Sequence, residues 1–172
     1  MTTAAVDRFG GFRPGRKAIM AVSFIVAAAM LALFSLQVTT RSTAGSSSGG
    51  FAADYRAELE SFRTATADWQ AKGQALRNGS AAAVLPVYVG IRGATDDAAK
   101  RLGALHAPGR ASADYSTLVR LLRAQSAALG DVITYARANQ PKQLSGALQR
   151  YASLVSDWLT TRQKVDRDLA AS

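Results

Sequence analysis

The residues that could carry out catalysis are few, and their spacing does not assemble a reaction centre. The chain of 172 residues has a single histidine, His106, followed by Ser112 and Asp114. These three residue types form a nucleophilic triad when a fold brings them together. Here helix capping explains a serine and an aspartate at the start of a predicted helix, and no Ser-x-x-Lys pair is present. The sequence predicts that the protein is not an enzyme.

Metal and cofactor sites are not predicted either. The chain has no cysteine, which excludes disulfides, thiolate zinc sites and covalent c-type haem attachment. Beyond residue 51 the glutamates are Glu58 and Glu60 alone, whereas a di-iron bundle needs glutamates from several helices and Glu-x-x-His pairs. We expect His106 to lie in a solvated loop, and we expect no metal and no cofactor.

The adjacent carboxylates Asp96 and Asp97 do not form a general acid–base pair on a helix. Neighbouring residues of a helix diverge by about 100° around its axis, so these side chains face different directions. Lys100 lies four residues after Asp96, and Arg101 lies four residues after Asp97. This spacing predicts two ion pairs on a solvated helix face.

Six residues at predicted helix-packing positions could line a ligand cavity. The large rings among them stand near small and polar side chains, an arrangement that could leave a polar-lined space inside a bundle. The alternative is that the small and polar residues accommodate an indole and satisfy its N–H group, so that all six belong to the core. The six residues are Thr66, Trp69, Gly73, Thr95, Gln125 and Trp158.

A group of basic residues near the second predicted turn and on the third predicted helix indicates a surface for an anionic partner. No nucleic-acid recognition motif accompanies them, so nucleic acid is not an expected partner. Because acidic residues are interspersed with them, the alternative is an ordinary solvated surface. The residues are Lys100, Arg101, Arg110, Arg120 and Arg123.

The elements that position these side chains are predicted to be four helices. Apolar and aromatic residues recur in alternating steps of four and three, which keeps one stripe on one face of each helix. The turn-forming segments Asn78-Gly79, His106–Gly109 and Asn139–Pro141 interrupt this pattern. The sequence predicts an all-α fold in which helices at about 51–77, 81–105, 112–138 and 142–170 form an antiparallel up-down-up-down four-helix bundle.

Three local expectations accompany this fold. Ser112 is expected to cap the third helix, since a serine side chain can accept a hydrogen bond from a free backbone N–H. Pro86 is expected to delay or kink the second helix, because proline lacks that N–H group. Rings at the packing positions are expected to be core, namely Trp69, Trp158, Tyr55, Tyr88, Tyr115 and Tyr151.

A membrane anchor is predicted ahead of the helical domain. Residues 18–36, AIMAVSFIVAAAMLALFSL, carry no charge, and a helix of that length can cross about 30 Å of hydrocarbon. The preceding tail, residues 1–17, carries basic side chains that favour the cytoplasmic side of a membrane. The alternative is an export signal cleaved near Ala44, which would release a secreted protein. The topology-determining side chains are Arg8, Arg13, Arg16 and Lys17.

The predicted organisation is therefore a disordered basic cytoplasmic tail, a spanning helix, a linker and a domain outside the cytoplasm. Residues 37–50, QVTTRSTAGSSSGG, are small and polar, which predicts a flexible linker. Residues 51–172 form the extracytoplasmic bundle. The formal net charge is +9, and residues 52–172 carry 16 basic and 11 acidic side chains.

We expect the protein to be a single-pass, non-enzymatic interaction or scaffold module of the cell envelope. Its expected partner is another envelope protein or a second copy of itself. The alternative is a small-ligand-binding sensory or carrier bundle that works with a membrane partner, which bundle cores permit.

Overall fold

The computed structural model describes residues 49–76 and 81–171 of the chain. These residues form four long helices, which confirms the predicted all-α fold and the predicted number of helices. The helices are α1 (Gly49–Ala75), α2 (Ala81–Ala104), α3 (Ser112–Arg137) and α4 (Pro141–Ala170), with a single 3₁₀ turn at Gly109–Ala111. Neither of the two described ranges contains a β-strand.

Neighbouring helices run antiparallel. Glu58 near the start of α1 pairs with Arg101 near the end of α2, and Asp131 near the end of α3 pairs with Arg150 near the start of α4. α2 and α3 also pack closely against each other and are joined by a short connection. This order is that of a helical bundle in which each helix turns back on the one before it.

The connection between α3 and α4 follows the predicted turn chemistry. Asn139 has a φ of 51°, the left-handed conformation that asparagine tolerates after a helix. Pro141 then begins α4, where the missing N–H group costs no helical hydrogen bond.

One local expectation was wrong, and a second was wrong in one of its alternatives. Ser112 does not cap α3, because it is already the first helical residue and Ala111 occupies the cap position without a side-chain hydrogen bond. Pro86 does not delay α2, which begins at Ala81 and continues through the proline, and the alternative of a kink stays a prediction. α1 also begins earlier than expected, at Gly49, so the end of the predicted linker is helical.

The core consists of two apolar clusters along the bundle axis. The first cluster packs the start of α2 against the end of α3 and the start of α4, and it includes Val87, Ile91, Leu129, Val132, Leu148, Tyr151 and Val155. The second cluster packs the other ends of these helices against α1, and it includes Tyr55, Leu59, Phe62, Leu102, Leu118, Leu122, Trp158 and Val165. Of the six rings expected in the core, Trp69 alone is only partly buried, and the other five are buried.

The predicted membrane-spanning segment lies outside the described residues, as do the tail at 1–17 and residues 37–48 of the predicted linker. Within the described ranges, no helix combines the length and the apolar character that crossing a membrane requires.

Candidate functional site

Three of the six predicted cavity residues form one polar layer between the two apolar clusters. Thr66, Thr95 and Gln125 come from three different helices, and all are buried. Each threonine hydroxyl donates a hydrogen bond to the carbonyl four residues earlier in its own helix, at 2.8 Å. The Gln125 Nε2 group donates to the Leu154 carbonyl of α4 at 3.1 Å. These donors therefore have acceptors within the bundle.

The other three predicted cavity residues lie apart from one another. Trp69 packs against the first cluster on the α1–α2 side. Gly73 lies nearby, where an added Cβ would come within 3.3 Å of a Val87 methyl group. Trp158 belongs to the second cluster. The fold thus brings the polar members together and separates the two tryptophans, and the predicted ligand cavity stays a prediction.

The ion-pair partners expected for Asp96 and Asp97 were wrong. Asp96 lies 3.9 Å from Arg92, and Asp97 lies 3.8 Å from Lys100. Arg101 turns instead toward α1, where its Nε donates to Glu58 at 2.5 Å. Helical spacing alone cannot reveal a carboxylate on a neighbouring helix, and that partner decides the direction of Arg101.

The predicted basic residues consequently divide into two groups. Lys100 and Arg101 have carboxylate partners, as described above. Arg110, Arg120 and Arg123 are exposed, and none has a carboxylate within ion-pair distance among the described residues. Arg110 lies in the 3₁₀ turn, Arg120 and Arg123 lie one helical turn apart on α3, and the Arg123 guanidinium reaches over Gly103 of α2. We call Arg110, Arg120 and Arg123 the arginine face.

A second group of side chains, aromatic and charged, lies between α1 and α4, and its charged members Arg162 and Asp166 were not predicted from the sequence. We call it the α1–α4 seam, and its members are Tyr55, Phe62, Trp158, Arg162 and Asp166. Arg162 Nε lies 3.5 Å from the Asp166 carboxylate, and the Arg162 guanidinium lies 5.9 Å from the centre of the Trp158 ring. The i, i+4, i+8 spacing of the three α4 residues, next to the apolar stripe, is the signal that could have indicated them.

Burial raises the pKa of two groups in this seam, the Asp166 carboxyl and the Tyr55 hydroxyl. It raises the pKa of the Asp166 carboxyl above its ordinary value, against the opposing effects of Arg162, of the neighbouring Tyr55 hydroxyl and, more weakly, of Arg56. Burial also raises the pKa of the Tyr55 hydroxyl, and the negative charge of Asp166 raises it further. The two groups are close enough to perturb each other, yet the Tyr55 hydroxyl lacks the geometry of a hydrogen bond to any described partner.

No group of three or more histidine, aspartate or glutamate side chains in the described ranges is placed to hold a metal ion. Among the described residues no hydrogen bond joins a serine hydroxyl to His106, which is exposed in the loop before the 3₁₀ turn. The topology-determining residues Arg8, Arg13, Arg16 and Lys17 lie outside the described part of the chain.

Comparisons of this chain with models of known protein families, with curated proteins and with solved structures gave no match.

Proposed function

We propose that this protein is a single-pass membrane protein that displays a helical bundle outside the membrane as a non-enzymatic interaction module. We further propose that its arginine face meets an acidic partner of the cell envelope. The observation that carries the proposal is a contrast among arginines: the arginine face has no carboxylate partner among the described residues, whereas five other arginines have one, namely Arg63, Arg92, Arg101, Arg150 and Arg162.

Unpaired, exposed guanidinium groups suit recognition of an acidic surface. Arginine presents several N–H donors in a fixed geometry that matches carboxylates. A local excess of positive charge also accelerates encounter with an oppositely charged partner. By contrast, a paired arginine such as Arg150, which lies 3.3 Å from Asp131, must first exchange its own carboxylate.

Membrane attachment is supported by the amino-acid sequence. The uncharged run at 18–36 has the length of a spanning helix, and the basic side chains ahead of it favour a cytoplasmic N-terminus. The alternative location is outside the cell after cleavage near Ala44. Mass spectrometry of the mature N-terminus distinguishes the two.

The polar layer favours an interaction module over the alternative of a ligand in the bundle core. The hydroxyls of Thr66 and Thr95 and the carboxamide of Gln125 donate to backbone carbonyls. A core ligand would have to compete with those hydrogen bonds, which are formed in a buried environment.

The test is in-cell crosslinking of the tagged full-length chain, followed by membrane solubilisation, a salt wash and mass spectrometry. The test variant replaces Arg110, Arg120 and Arg123 with glutamine. The matched control makes the same charge change at exposed arginines that have carboxylate partners, namely Arg63, Arg92 and Arg150.

We expect the wild-type chain and the control variant to retain one defined envelope protein, and the arginine-face variant to lose it. Equal loss in both variants would contradict recognition by the arginine face. Recovery of self-crosslinks alone from the wild-type chain would contradict a stable heteromeric partner and would favour the ligand-binding alternative.

A further inference from the structure

The seam between α1 and α4 is built differently from the other helix contacts. Consecutive helices approach closely through their backbones, whereas α1 and α4 meet mainly through long side chains. The Phe62 and Trp158 rings form an edge-to-face contact with their centres 6.0 Å apart. Tyr55 extends from α1 toward the charged pair Arg162 and Asp166 on α4. Side chains, rather than backbone packing, therefore hold this side of the bundle closed.

This seam also contains the two buried polar atoms that lack a hydrogen-bond partner among the described residues. They are the Tyr55 hydroxyl and the Trp158 indole Nε1. Tyr55 is fully buried and Trp158 is 2% exposed, so water does not reach either group in the closed bundle. A buried donor without an acceptor is costly because it has lost its hydrogen bonds to water and gained none in the protein.

The charged pair of the seam adds a second cost. Asp166 faces Arg162 on its own helix and Tyr55 and Arg56 on α1, and Tyr55 in turn contacts Tyr115 on α3. Partial removal of the carboxylate from water outweighs the favourable effects of both arginines and of the Tyr55 hydroxyl, because the net effect raises the pKa of Asp166. The ionised carboxylate is therefore less favourable in the closed seam than in water.

We propose that the α1–α4 seam is the opening side of the bundle: it separates to admit water while the α2–α3 and α3–α4 contacts stay packed. Opening gives the Tyr55 hydroxyl and the Trp158 N–H group the hydrogen bonds that they lack when the seam is closed, and it returns the partly buried Asp166 carboxylate to water. The hydrogen bond from the Gln125 Nε2 group to the Leu154 carbonyl joins α3 to α4, which stay packed.

Opening differs from global unfolding in a measurable way. A seam that opens locally exposes Trp158 more often than the whole domain unfolds, and hydrogen exchange reports such local equilibria. The experiment records hydrogen–deuterium exchange of the indole N–H groups in the full-length chain by NMR in detergent micelles. The chain has two tryptophans, and Trp69→Phe assigns their signals. Backbone amides of Leu118 and Leu122 provide the reference for global unfolding.

Two variants test the cause of opening. Tyr55→Phe removes the hydroxyl and keeps the ring that packs with Phe51 and Tyr115. Asp166→Asn removes the charge and keeps the shape. The matched controls are Tyr88→Phe, at a buried tyrosine of the first cluster, and Asp157→Asn, at an exposed carboxylate of α4.

We expect the Trp158 indole to be less protected than the reference amides in the wild-type chain. Tyr55→Phe should raise its protection by about fivefold, the effect of about 1 kcal/mol from one relieved buried group. Asp166→Asn should raise it by a smaller factor, because the Asp166 side chain is 37% exposed and solvent screens its charge. The controls should leave the ratio between Trp158 and reference protection unchanged. As the pH falls and Asp166 becomes protonated, protection should rise in the wild-type chain and stay constant in Asp166→Asn.

Other outcomes overturn the proposal. Equal protection of Trp158 and the reference amides would mean that the seam opens only when the domain unfolds. Lower protection of Trp158 in both test variants would mean that the hydroxyl and the carboxylate hold the seam closed. Neither result depends on a partner protein, so a failure here is separate from a failure of the arginine-face proposal.

Discussion

The indole of Trp69 on α1 lies directly against the backbone of Gly90 on α2. A Cβ added at Gly90 would overlap three ring atoms of Trp69, namely Cδ2, Cε2 and Cζ2. Lys72, one turn later on α1, places its Nζ 4.2 Å from the centre of the same ring. The absence of a side chain at Gly90 therefore sets how closely α1 and α2 approach at this level.

This relationship predicts that Gly90→Ala destabilises the domain although alanine is the better helix former. Inserting a methyl group into a packed contact costs about 1–3 kcal/mol, and the overlap of an added Cβ with the Trp69 ring puts Gly90 in the upper part of that range, above the roughly 1 kcal/mol gained from helix propensity. We expect the free energy of unfolding to fall by about 1–2 kcal/mol in chemical denaturation followed by circular dichroism.

Gly93 is the matched control for that substitution. It lies in the same helix with nothing within 4 Å of an added Cβ. Gly93→Ala should therefore raise the free energy of unfolding by about 0.5–1 kcal/mol. If both alanine variants were equally stabilised, the contact between Trp69 and Gly90 would not limit the approach of the helices.

A tyrosine hydroxyl connects the start of α3 to the end of α2. The buried Tyr115 hydroxyl donates at 2.5 Å to the Leu102 carbonyl in the last turn of α2, and the same carbonyl accepts the Leu105 N–H at 3.0 Å. We expect Tyr115→Phe to lower the free energy of unfolding by about 1 kcal/mol. Tyr135→Phe serves as the control, because Tyr135 is half-buried and its hydroxyl has no hydrogen bond among the described residues. An equal loss in both variants would assign the effect to packing.

The buried tyrosines predict a loss of stability in alkali. Burial raises the pKa of Tyr88 to about 12 and, together with the weaker effect of Glu58, that of Tyr115 to about 12, compared with 10.0 for an ordinary tyrosine. A raised pKa in the folded state means that the unfolded chain loses these protons first. Stability is therefore complete below pH 10 and should fall between about pH 10 and 12.

Parallel measurements of phenolate absorbance and circular dichroism test this expectation. Ionisation of the buried rings should coincide with the loss of helical signal, since each phenolate is unfavourable in the core. Tyrosine ionisation that is complete before any helix is lost would contradict the burial of these hydroxyls.

Two substitutions of Gln125 in the polar layer should change the free energy of unfolding by different amounts. Gln125→Leu fills a similar volume, and the Leu154 carbonyl retains its place in the hydrogen bonding of α4, so the free energy of unfolding should change by less than about 1 kcal/mol. Gln125→Ala leaves a cavity and should cost about 2 kcal/mol or more. A large loss in the leucine variant, measured by thermal and chemical denaturation, would show that the hydrogen bond to α4 is needed for stability.

Much of the helical organisation could be predicted because it depends on short-range order. The steps of four and three through Tyr115, Leu118 and Leu122 place these residues on one helix face, and all three are buried. Asn139 and Pro141 act on the backbone within one or two residues, and the α3–α4 turn follows them. The end of the linker was missed because Gly49 is helical despite the low helix propensity of glycine.

Pairing between helices could not be predicted in the same way. The sequence favoured Asp97 as the partner of Arg101, whereas the fold places Arg101 beside Glu58, which is 43 residues away. The arginine face was predicted in part, but its separation from the paired Lys100 and Arg101 appears only when the facing helices are known.

The amino-acid sequence by itself determined the all-α class, the four helices and most of the buried stripe, because helix periodicity repeats within one or two turns. Only the tertiary structure decided that Trp69 packs on Gly90, that Thr66, Thr95 and Gln125 share a level, and that Tyr55 meets Arg162 and Asp166. These relationships depend on the rotation and the axial offset of each helix against its neighbour. Both the rotation and the axial offset are set by how the side chains of two helices pack together, and the spacing of residues within one helix does not determine them.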